Sequence, residues 1–271
     1  MTTDIPELAA YALLNFFQNF DVLLLVMVRL LAFIMLVPVL AGATIPTMPR
    51  VMLAFSLAYM VFSAGVVGEI TYFPTVPVYG QMILVELVAG LMMGFMVYMA
   101  FAIIYFAGQI IDYQIGFMMA SLFDPISQIQ VPVVGNLLFF TMMALFVVSG
   151  GLSTFIAAVV LSYEIAPVGQ IFVLENNTLL LYAASMFSVY LRLGLQFALP
   201  IAGSLFIVNV MLGILVKAVP QMNVFVVGMP LKTLLGLSIM WFTMPVFAIY
   251  YIMIYEFAEE MLMAVVGGLR Q

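Results

Sequence analysis

Residues Met82–Phe106 read MILVELVAGLMMGFMVYMAFAIIYF, and residues Gly108–Gly135 read GQIIDYQIGFMMASLFDPISQIQVPVVG. The first run carries a single charge, Glu86, over more than the roughly 20 apolar residues a helix needs to cross a bilayer. The second turns abruptly polar, with three glycines, two prolines, four glutamines and no basic residue. From Leu137 to Leu161 the chain is apolar again, so the interruption is either a loop leaving the membrane or irregular backbone held in a protein-lined cavity. Backbone at membrane depth must have its amides satisfied by protein or water, and uncharged Gln and Ser side chains can supply partners. The composition of the stretch favours the cavity.

The flanking sequence sets the class. Hydrophobic residues make up 67% of the 271, charged residues 7%, and the mean hydropathy is +1.31. Apolar segments recur at Val22–Leu40, Val51–Val67, Met82–Phe106, Leu137–Leu161, Leu179–Leu199, Ile201–Val216 and Leu234–Ile254. This pattern predicts an all-α, multi-pass integral membrane protein. Breaks are expected at Ala43–Arg50, with Pro46 and Pro49, at Thr71–Gly80, with Pro74 and Pro77, and at Ser162–Thr178. The fifth and sixth segments meet at Pro200, which reads as one long kinked helix. Glu256, Glu259 and Glu260 beside Met261, Leu262 and Val265 predict a half-polar final helix. Asp4, Glu7 and Asp21 precede the first basic residue, Arg29, so the first segment is expected to be retained rather than cleaved as a signal.

With no cysteine and no histidine, the chain lacks a thiolate nucleophile, a disulfide, the commonest general base and the commonest metal ligand. No catalytic group, metal or cofactor is expected. A net charge of −6 carried by few residues points neither to nucleic acid nor to anionic lipid as a partner. A rhomboid-type protease needs a histidine. An intramembrane aspartyl protease needs a GxGD-like run, whereas Asp112 and Asp124 sit in IIDYQ and LFDPI. A secondary transporter with a broken-helix substrate site is the competing class, with Glu86 as its one acidic candidate inside an expected span.

Arg29 and Arg192 fall inside apolar segments, where a charge costs a few kcal/mol or more unless it meets water or a partner. Both are expected to face protein. Asp21 and Glu86 are candidate counter-ions for Arg29, and snorkelling is the alternative. Gly90 and Gly94 have the small-xxx-small spacing of closely packed helices, and Gly194, Ala198 and Ala202 continue that rhythm on another segment. Of 24 methionines, most read as core filler. Met118 and Met119 differ, because they lie in the polar interruption beside Phe117.

Three motifs carry a resemblance: G-Q-x-x-D-x-Q-x-G-F at Gly108–Phe117, the D-P pair from Asp124, and PQMNVFVVGMPLK at Pro220–Lys232. Together they resemble the R-subunit family of the flagellar export gate (FliR), whose counterpart in virulence type III secretion is the T subunit. The likeness covers essentially the whole chain. It implies a non-enzymatic subunit of a protein-export channel in the bacterial inner membrane, at the flagellar basal body. Such a subunit assembles with P and Q subunits into a helical hetero-oligomer around a central pore, a stack lying largely outside the lipid plane. It also implies a two-part chain: a P-like part at 1–178, containing a plug loop at 107–135, and a Q-like helical hairpin at 179–271.

By that resemblance the plug loop comprises Gly108, Gln109, Asp112, Gln114, Gly116, Phe117, Met118, Met119, Leu122, Phe123, Asp124 and Pro125. The residues themselves suit the role. Gly108 and Gly116 permit bends, and Phe117, Met118, Met119, Leu122 and Phe123 are bulky, deformable groups able to close a constriction by excluding water. Such a seal yields to unfolded secreted chains without binding one of them tightly. An ordinary extramembrane loop is the plainer alternative. The resemblance further implies that Pro220, Gln221, Asn223, Phe225, Gly228, Pro230 and Lys232 form an entry-side loop that contacts the switch protein of the export apparatus. A plain helix turn with interfacial lysines is the alternative there. Membrane lipid completes the expected partners.

Overall fold

The structure, a computed structural model, describes residues 20–42, 45–67, 76–117, 132–169, 176–221 and 223–268, excepting the side chains of 176–183, 224, 225 and 268. The described residues form eight helices and no strand: α1 Phe20–Leu36, α2 Pro38–Ala41, α3 Thr47–Ser63, α4 Val76–Ile115, α5 Val133–Val148, α6 Gly151–Ile165, α7 Asn176–Ala218 and α8 Val224–Gly268. The protein is an all-α membrane protein. Helices α4, α7 and α8 are each long and apolar enough to cross a bilayer, and the bent pair α5–α6 makes a fourth candidate if counted as one span.

Three breaks fall differently from expectation, each for a backbone reason. The first apolar segment does not run unbroken to Leu40, because Pro38 pushes Val37 out of the helical region (φ −66°, ψ 117°). Leu137–Leu161 is not one straight segment. It bends by 68° at Ser149–Gly150, where Gly150 takes φ +77° and the Ser149 and Gly150 amides close the last turn of α5 on the Leu145 and Val147 carbonyls. The expected break from Ser162 comes later, since α6 continues to Ile165. Pro200, by contrast, does not end α7, which runs on to Ala218. The amide that Pro200 lacks would have donated to the Gln196 carbonyl. The Tyr250 hydroxyl of α8 donates there instead, at 3.2 Å.

The chain forms two compact units, residues 1–98, 153–175 and 260–271, and residues 99–152 and 176–259. In the first, α1 and α3 pack together, α3 turning inward Ala54, Ala58 and Val61. One turn before Ala54, Arg50 donates to the Gly42 and Ile45 carbonyls at 2.6 and 2.7 Å, tying down the connection before α3. In the same unit α4 meets α1 through glycines. A Cβ at Gly90 would fall on the Arg29 carbonyl oxygen, and one at Gly94 would lie 2.9 Å from Leu36 Cβ and 3.0 Å from the Phe33 carbonyl oxygen.

In the second unit, α7 and α8 form an antiparallel hairpin. Phe197 meets Phe247 and Tyr250 edge-on, with ring centroids 5.6 and 5.2 Å apart. Toward the other end, Gly236 lies against Leu205 and Ile115. Gly194 faces the Phe106 ring, and Ala198 and Ala202 on the same stripe are buried. Arg192, expected to face protein, is exposed on α7 instead. The most apolar stretch of α4 is 56% buried, against 22% for those of α7 and α8. The hairpin therefore leaves most of its apolar surface uncovered by this chain.

Candidate functional site

The described residues of the polar interruption, up to Phe117 and from Pro132, are mostly helical. Helix α4 continues through Gly108, Gln109, Asp112 and Gln114 to Ile115, so these residues belong to a helix and not to a loop. Gly108 makes no bend. It makes a close crossing, because a Cβ there would run into the Gly135 Cα. Among the described residues of the stretch, only Gly116 takes the left-handed conformation (φ +97°), ending α4 as its amide donates to the Asp112 carbonyl at 3.0 Å. Phe117 follows, half-buried. Met118, Met119, Leu122, Phe123, Asp124 and Pro125 lie outside the described residues.

One side chain joins the end of α4 to the start of α5. Helix α5 begins after Pro132, which offers no side-chain cap, so its first amides need an acceptor from elsewhere. Asp112 supplies it. Its two carboxylate oxygens accept from the Val134 and Gly135 amides, each at 2.9 Å, and the residue is fully buried. A carboxylate at a helix N-terminus also meets the positive end of the helix dipole. One turn away along α4, Gly108 and Gly135 bring the two backbones into contact. Gln114 adds a third tie, accepting from Asn209 Nδ2 of α7 at 3.3 Å.

A second polar site lies in the first unit. Arg29 and Glu86 are fully buried and form a two-pronged ion pair, Nε to Oε2 at 2.6 Å and Nη2 to Oε1 at 3.1 Å. Glu86 is thus the counter-ion of Arg29. Asp21, the other candidate, is exposed, and its carbonyl accepts from the Tyr79 hydroxyl at 3.0 Å. The end of α6 and the turn after it complete the enclosure. Ser162 Oγ and the Ala166 carbonyl accept further guanidinium hydrogens at 3.0 and 3.1 Å, and the Gly169 amide donates to Glu86 at 3.0 Å. The Tyr163 ring lies 4.3 Å from the guanidinium carbon, and its hydroxyl donates to the Val26 carbonyl at 2.9 Å. Four of the five arginine donors are occupied. Sequence reading found the pair as one of two options and missed Ser162, Tyr163 and Gly169, which it placed in a connection.

The PQMNVF motif is split by structure. Pro220, Gln221 and Asn223 are exposed in the short α7–α8 connection, and the Asn223 carbonyl accepts the Val226 amide at 3.1 Å as α8 begins. Gly228, Pro230 and Lys232 are not part of a loop, because α8 starts at Val224. The Phe225 side chain lies outside the described residues.

Comparison with known proteins adds an independent line. Residues 20–258 match the family described as bacterial export proteins, family 1. Over 218 residues, 79% of this chain and 82% of the relative, the sequence is 33% identical to the flagellar biosynthetic protein FliR of Bacillus subtilis. It is 28% identical over 222 residues to FliR of Escherichia coli, covering 82% of this chain and 84% of that one. Similarity to the Yop proteins translocation protein T of Yersinia pestis is 30% identity over 148 residues, 55% of this chain and 57% of the relative.

Proposed function

The chain belongs to the bacterial export proteins of family 1, and from that membership we propose that it is a non-enzymatic subunit of the type III flagellar export gate. It forms part of a pore wall in the inner membrane and contributes the stretch 107–135, helical as far as Ile115, to a plug that unfolded export substrates displace. Its partners are the P and Q subunits of the gate, with a P-like part up to residue 178 and a Q-like hairpin after it. The likeness to flagellar relatives extends over more of the chain than that to the Yop protein, which favours flagellar use.

The observation that carries this reading is the fixed base under the polar stretch: the Gly108–Gly135 crossing and the Asp112 cap on α5. A seal of soft side chains needs rigid anchors, and these supply both. The uncovered hairpin adds support. Helices of 43 and 45 residues are about 65 Å long at about 1.5 Å per residue, twice the roughly 30 Å hydrocarbon layer. Lipid covers about half of that length, which leaves the rest for protein neighbours. The transporter reading loses its ion-coupling candidate, because Glu86 is committed to Arg29 and the Gly169 amide.

Deleting Gly116–Phe123 is expected to leave the gate assembled and make the membrane leaky to small ions; an unchanged conductance would sink the plug assignment. The exposed connection at Pro220–Asn223, with Lys232 on the first turns of α8, is proposed to dock the switch protein of the export apparatus. Replacing Gln221, Asn223 and Lys232 together is expected to weaken cross-linking to that protein and reduce export, and wild-type levels of both would refute the docking role.

A further inference from the structure

Between α7 and α8, near the middle of both helices, runs an open groove of about 740 Å³, within the range of about 300–1,000 Å³ usual for small-molecule sites. Its walls are Leu199 and Pro200 of α7 and Val246, Ile249 and Met253 of α8, and no charged residue lines it. Two polar side chains do, Gln196 and Tyr250. The Tyr250 hydroxyl is committed to the Gln196 carbonyl at 3.2 Å, whereas the Gln196 side-chain amide is unpaired among the described residues. One turn further on, each helix carries a charge. Arg192 precedes Gln196 by one turn and Glu256 follows Met253 by one turn, spacings that keep each residue on the groove side of its helix. The helices run antiparallel, with Phe197 against Phe247 and Tyr250, so both charges lie at the same end of the groove. Both are exposed, and among the described residues neither forms an ion pair. From that end toward the α7–α8 connection the hairpin carries no charge until Lys217 and Lys232. That uncharged band is about 36 Å long at about 1.5 Å per residue, close to the roughly 30 Å hydrocarbon layer. Arg192 and Glu256 therefore lie at headgroup depth, with the groove running inward from them.

We infer that this groove is a binding site for a single zwitterionic phospholipid whose headgroup carries a primary ammonium, as in phosphatidylethanolamine. The order of groups along the groove matches the order of groups along such a lipid. At the mouth, the Arg192 guanidinium pairs with the phosphate, the geometry for which arginine is best suited. Beside it, the Glu256 carboxylate accepts from the ammonium hydrogens. One turn deeper, the Gln196 amide donates to an ester carbonyl, and beyond it the apolar walls take an acyl chain. Charge decides between occupants. A phosphatidylglycerol headgroup brings the phosphate but no cation for Glu256, and a phosphatidylcholine headgroup brings a cation without N–H donors. Bulk lipid covers the walls without selecting a headgroup. A helix of a neighbouring protein fits the walls only if it also sets an anion opposite Arg192 and a cation opposite Glu256. The site requires the hairpin to sit in a membrane and is independent of the plug reading.

The test is native mass spectrometry of the assembled gate, purified in mild detergent and incubated with an equimolar mixture of phosphatidylethanolamine, phosphatidylcholine and phosphatidylglycerol bearing the same acyl chains. The wild-type gate is expected to retain one phosphatidylethanolamine per copy of this chain, favoured over the other two by about fivefold, the size of one partly exposed ion pair. Arg192→Gln is expected to lose that bound lipid whatever its headgroup. Glu256→Gln is expected to keep a bound phospholipid and lose the preference among headgroups, a split that general damage to the hairpin would not produce. Both side chains are exposed, so the amount of assembled gate should be unchanged. A benzophenone side chain in place of Leu199 locates the occupant, with a photoproduct on phospholipid expected, and it carries the test if either variant fails to assemble. Equal retention of the three lipids by the wild-type gate would overturn the inference, as would a preference that survives in both variants. A photoproduct on a neighbouring protein would also overturn it and assign the groove to a protein helix. Export and ion leakage do not enter the readout, so a failed plug reading leaves the result unchanged.

Discussion

Arg29 is accommodated at 0% exposure because the fold surrounds it with acceptors instead of solvent. An isolated buried charge is prohibitively costly, and pairing offsets that cost only when the remaining hydrogens are also bonded. Here Glu86, Ser162 and the Ala166 carbonyl take four donors, and the Tyr163 face covers the guanidinium. Removing one partner should be far worse than removing both. Arg29→Met or Glu86→Gln alone is expected to destabilise the detergent-solubilised protein by about 3–5 kcal/mol. The double variant Arg29→Met with Glu86→Leu should recover much of the loss, a contrast that thermal unfolding of the three proteins would read directly. Equal destabilisation in the single and double variants would show that the pair contributes through something other than mutual neutralisation. Asp112 is balanced differently, by backbone amides at a helix start in place of a cation.

Between helices, the deciding quantity is how closely two backbones can approach. Gly90 and Gly94 sit on the buried side of α4, where α1 occupies the space a side chain would need; at Gly90 the obstacle is the Arg29 carbonyl itself. A backbone atom cannot rotate away, so the helices must part. Gly90→Ala is expected to cost about 1–3 kcal/mol, the range for overpacking, and to disturb the Arg29–Glu86 pair one helical turn away. Gly213→Ala on α7 is the matched control, because nothing lies within 4 Å of its added methyl. Its effect on the melting temperature should be neutral to slightly stabilising. A comparable drop in both variants would mean that the close approach to the Arg29 carbonyl is not what sets the cost at Gly90. Proline behaves according to the same local accounting. Pro38 ends α1, yet α7 passes through Pro200, where the Tyr250 hydroxyl donates to the carbonyl that the missing amide would have served.

At the scale of the whole molecule, the long hairpin presents more apolar surface than one bilayer can cover. Phe187, Leu199, Phe206 and Ile214 on α7, and Leu234, Trp241, Ile249 and Met263 on α8, are all exposed. In the assembled gate, a lipid-phase photoreactive probe is expected to label only a stretch of about 30 Å along these helices, with residues outside it protected by neighbouring subunits. Labelling along the full length would argue for a free-standing membrane protein instead of a gate subunit. The helical class and the long apolar stretches of α4, α7 and α8 were legible in the sequence, because hydropathy is a property of consecutive residues. The family motifs were legible for the same reason. The seven apolar segments nevertheless overcounted the helices long and apolar enough to cross a bilayer, which are three, or four with the bent α5–α6 pair, among the described residues. Several decisions needed the tertiary structure: that Glu86 and not Asp21 neutralises Arg29, that Ser162, Tyr163 and Gly169 enclose the pair, that Gly108 serves a crossing and not a bend, and that Asp112 caps a helix 22 residues away. Each depends on which helices lie side by side, and a buried polar group's partner is chosen by proximity in space, a quantity that residue order does not encode locally.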